Sequence, residues 1–372
     1  MAGTAVVVGG GIGGLAAAIG LRRVGWQVTV VERAAELADV GAAISLHANG
    51  LRALDALGVG AEVRAAGRPQ RHAGTRTPQG RLLARLDGAA LERDLGSPIL
   101  GVARSVLHRV LRDALPDGVL SIGTEIHTVD AVGDADLVVA ADGVASGLRA
   151  QLFPGHPGAV YSGSTVLRAI TAEEIDPGSD FELTWGRGAE FGHIRLADGR
   201  AEWHAVLTAP AGVRYADPLA EMRRRFGGWH QPIPRLLAAT DPGAVLHHDI
   251  HEIVTPLPAF TAGRVALLGD AAHAMVPNLG QGACQALEDA VTLAAALAAE
   301  PGVETALAAY DARRRPRAQA VARAARQAGR LGQRLTNPAA VALRDLALRL
   351  SPPSASARVI MRHATWTPPA LV

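Results

Sequence analysis

Gly9-x-Gly11-x-x-Gly14 lies between an apolar run, TAVVVGG, and an alanine-rich run, GLAAAIGLRRVG, and this arrangement limits the fold more than any other feature of the chain. The first run has the continuous hydrophobicity of a strand buried on both faces. The second has helical composition and stops at Gly25. QVTVVER then supplies a second strand, and Glu32 ends it 18 residues after Gly14. Residues 4–33 therefore form a βαβ unit. Its first glycine makes a tight turn, its second admits a pyrophosphate to the backbone, and its third lets helix and strand pack closely. Glu32 is placed to accept hydrogen bonds from ribose hydroxyls. The unit predicts dinucleotide binding without separating NAD from FAD.

The remaining chain suggests how that unit is extended. Its 372 residues are enough for two domains or one large interrupted one. Helices are expected over 50–66, 104–115, 281–335 and 339–350, and strands at 136–143 and 264–270. Residues 70–95 read as polar with short strand-like pieces. Between about 158 and 258 the texture changes to alternating runs such as FELTW and AEWHAVLTAP, with Trp185, Trp203 and Trp229, as expected of antiparallel sheet. The expected architecture is α/β: a Rossmann-like nucleotide-binding domain from 1–68, 96–157 and 261–335. It is interrupted by a mainly antiparallel β-rich domain from 69–95 and 158–260. Residues 336–372 form a C-terminal helix and a Pro-rich mobile tail.

Composition removes several function classes. All 37 basic residues are arginine, so Schiff-base chemistry, a lysine general base and a P-loop lysine are excluded. The net charge of +2 and arginine runs without interleaved aromatics (Arg223–Arg225, Arg313–Arg315) give no nucleic-acid signature. No apolar run has the roughly 18 residues of a membrane span, and the N-terminus carries no signal-peptide pattern. The single cysteine, Cys284, excludes an intramolecular disulfide and a cysteine metal cluster. It suits a reducing cytoplasm and reads as a small core residue. No metal site is expected.

Two later motifs refine the nucleotide. One is ADLVVAADGVASGLR, with Asp142-Gly143, Ser146 and Arg149; the other is ALLGDAAHAMVPNLGQGACQALEDA, with Asp270, His273, Pro277 and Gly280-Gln281-Gly282. With the glycine loop they stand in the order and spacing of the flavin-dependent aromatic hydroxylases. Over roughly residues 4–335 the chain resembles these single-component monooxygenases of the p-hydroxybenzoate hydroxylase fold. The resemblance implies noncovalent FAD. It assigns Gly9, Gly11, Gly14, Glu32 and Arg33 to the nucleotide, and Arg104 to the ribityl–phosphate region. Asp142 would serve FAD and pyridine nucleotide together, and Asp270 the ribityl chain or ribose. The amides of Gly280, Gln281 and Gly282 would face the N1–C2=O edge of the flavin, with Pro277 beside the ring. His273 and Arg149 are expected to be structural.

The same resemblance implies the reaction. NAD(P)H reduces FAD, and O2 then gives a C4a-hydroperoxide that transfers one oxygen atom to an aromatic or conjugated small molecule. A reductase or dehydrogenase of the same superfamily, and a non-catalytic FAD-binding protein, are the alternatives. A flavin halogenase is disfavoured by the missing W-x-W-x-I-P stretch and lysine. No nucleic acid or membrane partner is expected, and the protein should be a monomer or homodimer. His47, in VGAAISLHANG, is either a base for a phenolic substrate or a member of the FAD shell. His193, Arg195, Trp203 and His204 lie on the inserted sheet, but alternation alone does not say which face the substrate. The closest texture is that of FAD-dependent urate hydroxylases and salicylate-hydroxylase-like enzymes. Glu190 falls where the urate enzymes have a substrate-binding arginine, which argues against urate.

Overall fold

The computed structural model describes residues 3–36, 42–352 and 354–371; Val40 and Gly41, which open VGAAIS, lie outside the described residues. Strand Thr4–Val8 pairs in parallel with Gln27–Val31 on one side and Leu137–Ala140 on the other. Leu137–Ala140 pairs in turn with Val265–Leu267, so the three signature motifs emerge from adjacent strands. Strands Thr261–Ala262 and Leu120–Ser121 complete the six-stranded sheet. Its central strands are hydrophobic throughout because helices cover them. Helix Ile12–Arg23 packs on helix Gly282–Ala299, and small residues set the distance. A Cβ on Gly20 would lie 3.1 Å from the Ala294 Cβ.

A seven-stranded sheet forms the second layer, in the order Leu246–Glu252, Val160–Ile170, Ala201–Thr208, Ala189–Arg195, Phe181–Trp185, His72–Arg76 and Leu82–Asp87. Its register divides the side chains between two faces. Leu167, Phe191, Trp203 and Leu207 pack under helices Pro218–Phe226 and Ile233–Ala238. Val166, Val206 and Ile250 turn the other way, onto Val276 and Ala325 of the nucleotide domain. Ile194 meets Ala43 in the same direction. A small sheet of Ala43–Leu46, Leu100–Ala103 and Arg68–Pro69 sits at the junction.

Four local expectations are corrected. The helix expected over 50–66 is two, Ala48–Ala56 and Gly60–Ala66, because Gly58 at φ +83° turns the chain between them. The helix expected over 281–335 is also two, Gly282–Ala299 and Val303–Leu331, broken at Glu300-Pro301-Gly302. Residues 88–95 form a helix capped by the Asp87 carboxylate, which accepts from the Ala90 N–H at 2.9 Å. The tail is docked, not mobile: helix Ser354–Ala364 leads to backbone carbonyls of Ala364 and Trp366 that accept from Arg52 at 3.2 and 3.1 Å.

The nucleotide domain is crossed by a buried ionic network. Glu288 and Asp289, on helix Gly282–Ala299, are fully buried. Arg314 Nε donates to Asp289 Oδ1 at 2.6 Å and its Nη1 to Glu288. Arg317 holds Glu288 through two bonds of 2.6 and 2.7 Å and also donates to the His363 carbonyl at 2.8 Å. Removing one partner leaves a carboxylate buried without its counter-charge. Arg314→Met should therefore cost about 3–5 kcal/mol of unfolding free energy. Denaturant titration of the purified proteins measures it, and a loss under about 1 kcal/mol would mean that the network is much weaker than its burial implies.

Candidate active site

The glycine loop has the clearances that a phosphate cradle needs. A Cβ on Gly9, at φ +112°, would fall 2.2 Å from the Ala141 carbonyl oxygen, and one on Gly14 1.9 Å from that of Gly9. These two glycines close the backbone turn. Gly11 faces open space, with nothing within 4 Å of a Cβ, as an approaching ligand requires. The Glu32 carboxylate grips this loop, accepting from the Gly10 N–H at 2.7 Å and the Ala34 N–H at 2.9 Å. His108 Nε2 reaches the Gly10 carbonyl at 2.7 Å. His108 was missed from sequence, although its i,i+4 spacing from Arg104 on helix Arg104–Asp113 puts both on one face. Arg33 is not gathered here: its side chain is 71% exposed and lies 3.6 Å from Glu125.

Asp142, Asp270 and Arg104 come together at the next level. Asp142 Oδ2 accepts from the Leu148 N–H at 3.2 Å, while its buried Oδ1 has no protein partner. Arg149 joins the two acidic motifs, donating to the Ala271 carbonyl at 3.0 Å and to that of Val144 at 2.8 Å. Solvent reaches both Asp270 and Arg104. Burial pushes the Asp270 carboxyl up, against the opposing pull of His273, Arg104 and Arg149. Burial pushes the Arg104 guanidinium down, as does Arg168, while Asp270 opposes both. Arg168, on the sheet strand Val160–Ile170, pairs with His204 on the face that Val166 and Val206 turn onto the nucleotide domain; it too was missed from sequence.

The third motif forms the lip of the cleft. Pro277–Leu279 is a single 3-10 turn, Gly280 is left-handed at φ +61°, and helix Gly282–Ala299 begins without a side-chain cap. A Cβ on Gly282 would meet nothing within 4 Å. His47 precedes helix Ala48–Ala56, and its ring lies against Gly280, whose Cβ would stand 3.2 Å from Nε2. Asn49 donates to Gln281 at 2.9 Å and to Glu288 at 2.7 Å. His47 Nδ1, Asn49 Oδ1 and Gln281 Nε2 are buried without protein partners. Three unpaired polar atoms around one turn, Asn49 Oδ1 an acceptor and Gln281 Nε2 a donor, fit a polar ligand with both donors and acceptors, such as a flavin nucleotide. His273 is structural, with Nε2 2.6 Å from Asp289 Oδ2. Cys284 is fully buried, and burial pushes its thiol up to about 12.

Sheet register assigns the four candidates on the inserted domain. His204 pairs with Arg168 and Gly192, on the face shared with Val166 and Val206, so it faces the cleft. His193 and Trp203 pair with each other on the opposite face. His193 bonds Ser179 at 3.1 Å, Trp203 Nε1 donates to Thr240 at 2.8 Å, and Arg195 donates to Asp176 at 3.0 Å. On the cleft face, Glu190 accepts from Trp185 Nε1 at 2.6 Å.

The fold and this site define an FAD-binding α/β flavoprotein. The family model for the FAD binding domain matches residues 3–131 and 130–325, and the chain belongs to that family. It is 37% identical over 347 residues to an aurachin C monooxygenase/isomerase of Stigmatella aurantiaca, covering 89% of this chain and 90% of the relative. It is 33% identical over 328 residues to an FAD-dependent urate hydroxylase of Klebsiella oxytoca, covering 83% and 85%. The crystal structure of Klebsiella pneumoniae HpxO complexed with FAD and uric acid superposes with a TM-score of 0.89 at 29% identity, over 97% and 96% of the two chains. The chain is an FAD-dependent monooxygenase, and the reductase and non-catalytic alternatives find no support among these relatives.

Two buried histidines give the protein an acid-sensitive stability. Burial lowers His47 to about 4, with His363 adding to the shift, and burial lowers His193 to about 3. Both folded values lie below the unfolded value near 6.5, so their contribution is complete above that pH. It is lost as pH falls from 6.5 through the folded values, since the unfolded chain then binds more protons. His47→Gln should flatten the decline in unfolding free energy between pH 6.5 and 4. An unchanged slope in denaturant titrations over that window would show that His47 is not held neutral.

Proposed function

We propose that NAD(P)H reduces an FAD held noncovalently in this cleft. O2 then provides the oxygen atom, and the substrate is an aromatic or conjugated small molecule placed between the flavin ring and the sheet face bearing Arg168 and His204. The observation that carries this reading is that the three signature motifs leave adjacent strands, while the sheet face bearing Arg168 and His204 is the one that Val166 and Val206 turn onto the nucleotide domain. When bound, FAD supplies the electron-transfer chemistry that activates O2. The remaining work belongs to the chain.

Gly9, Gly11 and Gly14 would admit the pyrophosphate, and Glu32 would meet the adenosine ribose side, with Arg33 left outside the site beside Glu125. Arg104, Asp142 and Asp270 would hold the ribityl–phosphate region. Gly280, Gln281 and Gly282 would present amides and the helix dipole to the flavin edge that becomes anionic on reduction. Pro277 would lie beside the ring. His47 belongs to the FAD shell in this reading: it lies on Gly280, and with a value of about 4 it is a poor proton acceptor. By resemblance Glu190 falls where the urate enzymes have a substrate-binding arginine, and its burial against Trp185 goes with our reading against urate. We assign the protein to the cytoplasm as a monomer or homodimer; among the described residues no helix is long and apolar enough to cross a membrane.

The FAD assignment is tested by loading and desalting, with one noncovalent flavin per chain expected. Asp270→Ala should lose a charge-assisted hydrogen bond worth about 1.5–3 kcal/mol and weaken FAD at least about tenfold. Unchanged FAD retention in that variant would remove Asp270 from the site. For turnover, NAD(P)H and O2 consumption is followed against phenols and heteroaromatic acids. A substrate that speeds NAD(P)H oxidation without O2 uptake would overturn the monooxygenase reading.

A further inference from the structure

We propose that helix Pro338–Leu350 docks the protein on an anionic lipid surface, with its exposed leucines entering the headgroup boundary and the arginines around it meeting the lipid phosphates. This is attachment from the water side, not a span, and it departs from the absence of a membrane partner expected from the sequence. It is independent of the reaction in the cleft.

Helix Pro338–Leu350 buries none of its residues. Leu343, Leu346 and Leu350 are 68%, 51% and 76% exposed, and their spacing of three and four residues puts them on one helix face. Exposed Leu331 and Val359 precede and follow the helix in the chain. Polar contacts hold it in place. Asn337 caps it, accepting from the Ala339 and Ala340 N–H groups at 2.9 and 3.2 Å. Arg344 donates to the Gly332 carbonyl at 2.9 Å and stands over the Trp185 ring, 5.3 Å from its centroid. Just before the helix, the Leu335 carbonyl accepts from the Gly188 N–H at 3.0 Å and the Thr336 carbonyl from Arg187 at 3.2 Å. A helix of 13 residues is marginal in water unless packing supports it, and these contacts fix this one with an unused leucine stripe turned outward. The next helix, Ser354–Ala364, is the contrast: its Ala357, Ile360 and Met361 pack on the cluster of Leu91, Leu95 and Ile99.

Charge identifies the occupant. Of the chain's 37 arginines, six lie in residues 330–372: Arg330, Arg334, Arg344, Arg349, Arg358 and Arg362. Of its 35 acids only Asp345 does, and Arg344 pairs with it at 2.7 Å. That leaves 31 arginines and 34 acids for residues 1–329, so the basic excess of the chain lies wholly in this segment. Arg330, Arg349, Arg358 and Arg362 are exposed. A leucine face with arginines about it is the pattern of a helix lying in a lipid headgroup layer, and each arginine near an anionic surface adds attraction. A second copy is the poorer occupant: a two-fold contact places the same surface on itself and would set these arginines against their own counterparts. A nucleic acid would satisfy the arginines and leave the leucines wet.

The FAD-loaded full chain is sedimented with phosphatidylcholine vesicles, with and without phosphatidylglycerol, and the bound fraction gives a partition coefficient. Phosphatidylglycerol should raise it at least about tenfold, and added salt should reverse most of that gain. Leu346→Glu should lower it at least about tenfold, and Arg349→Gln about fivefold. FAD retention establishes that each variant folds, and Leu350→Glu takes the place of Leu346→Glu if that variant loses flavin. No binding to either vesicle, binding indifferent to phosphatidylglycerol, or binding that survives both leucine substitutions overturns the proposal. So does a wild-type dimer that either leucine variant converts to monomer in sedimentation velocity, since a second copy then covers the face.

Discussion

Two adjacent carboxylates with no exposure to solvent, Glu288 and Asp289, set the geometry on which the rest of the site depends. Asp289 receives the Gly269 N–H at 3.0 Å and His273 at 2.6 Å, and so fixes both ends of the short helix that begins with Asp270. Glu288 receives Asn49, which also donates to Gln281. That one amide ties the His47 helix to the turn Pro277–Gly282. The arginines that neutralise the pair come from the next helix, and Arg317 extends the network to the C-terminal tail. Burying such charges is costly enough that a well-packed apolar core could be as stable or more so. What the carboxylates contribute is direction: each oxygen fixes a particular N–H, and the N–H groups fix the walls of the cleft.

The parts of the fold visible in the sequence are those whose physics is local. The glycine loop, the strands beside it and the helix opening at Arg104 follow from steric demands and periodicities spanning only a few residues. The Glu288-Asp289 pair was on view too, in a helix otherwise free of charged residues and rich in alanine and leucine. An acid pair in an apolar helix signals buried counter-charges, but nothing local says which arginine provides them. Arg314 and Arg317 lie among many arginines of similar context, and only the packing of two helices selects them.

The inserted sheet was illegible for a different reason. Period-2 alternation sorts residues into two sets without saying which set faces the flavin. Both sets here carry a histidine and a tryptophan: His193 and Trp203 on one side, His204 and Trp185 on the other. The decision comes from what covers each face. Helices Pro218–Phe226 and Ile233–Ala238 bury Trp203 and Phe191, leaving His204, Glu190 and Arg168 toward the nucleotide domain. The tail posed a similar problem, since its docking depends on Arg52 finding carbonyls about 310 residues away.

His47 and His204 show why residue type alone does not assign an acid–base role. His47 is buried and His204 half-buried, and desolvation alone would lower both. His47 has only a backbone-rich glycine turn beside it and another imidazole nearby, so nothing compensates the cost of charging it. His204 has Glu202 at hydrogen-bond distance and Glu190 behind it, and the balance reverses. Glu190 also favours the charged form of His204.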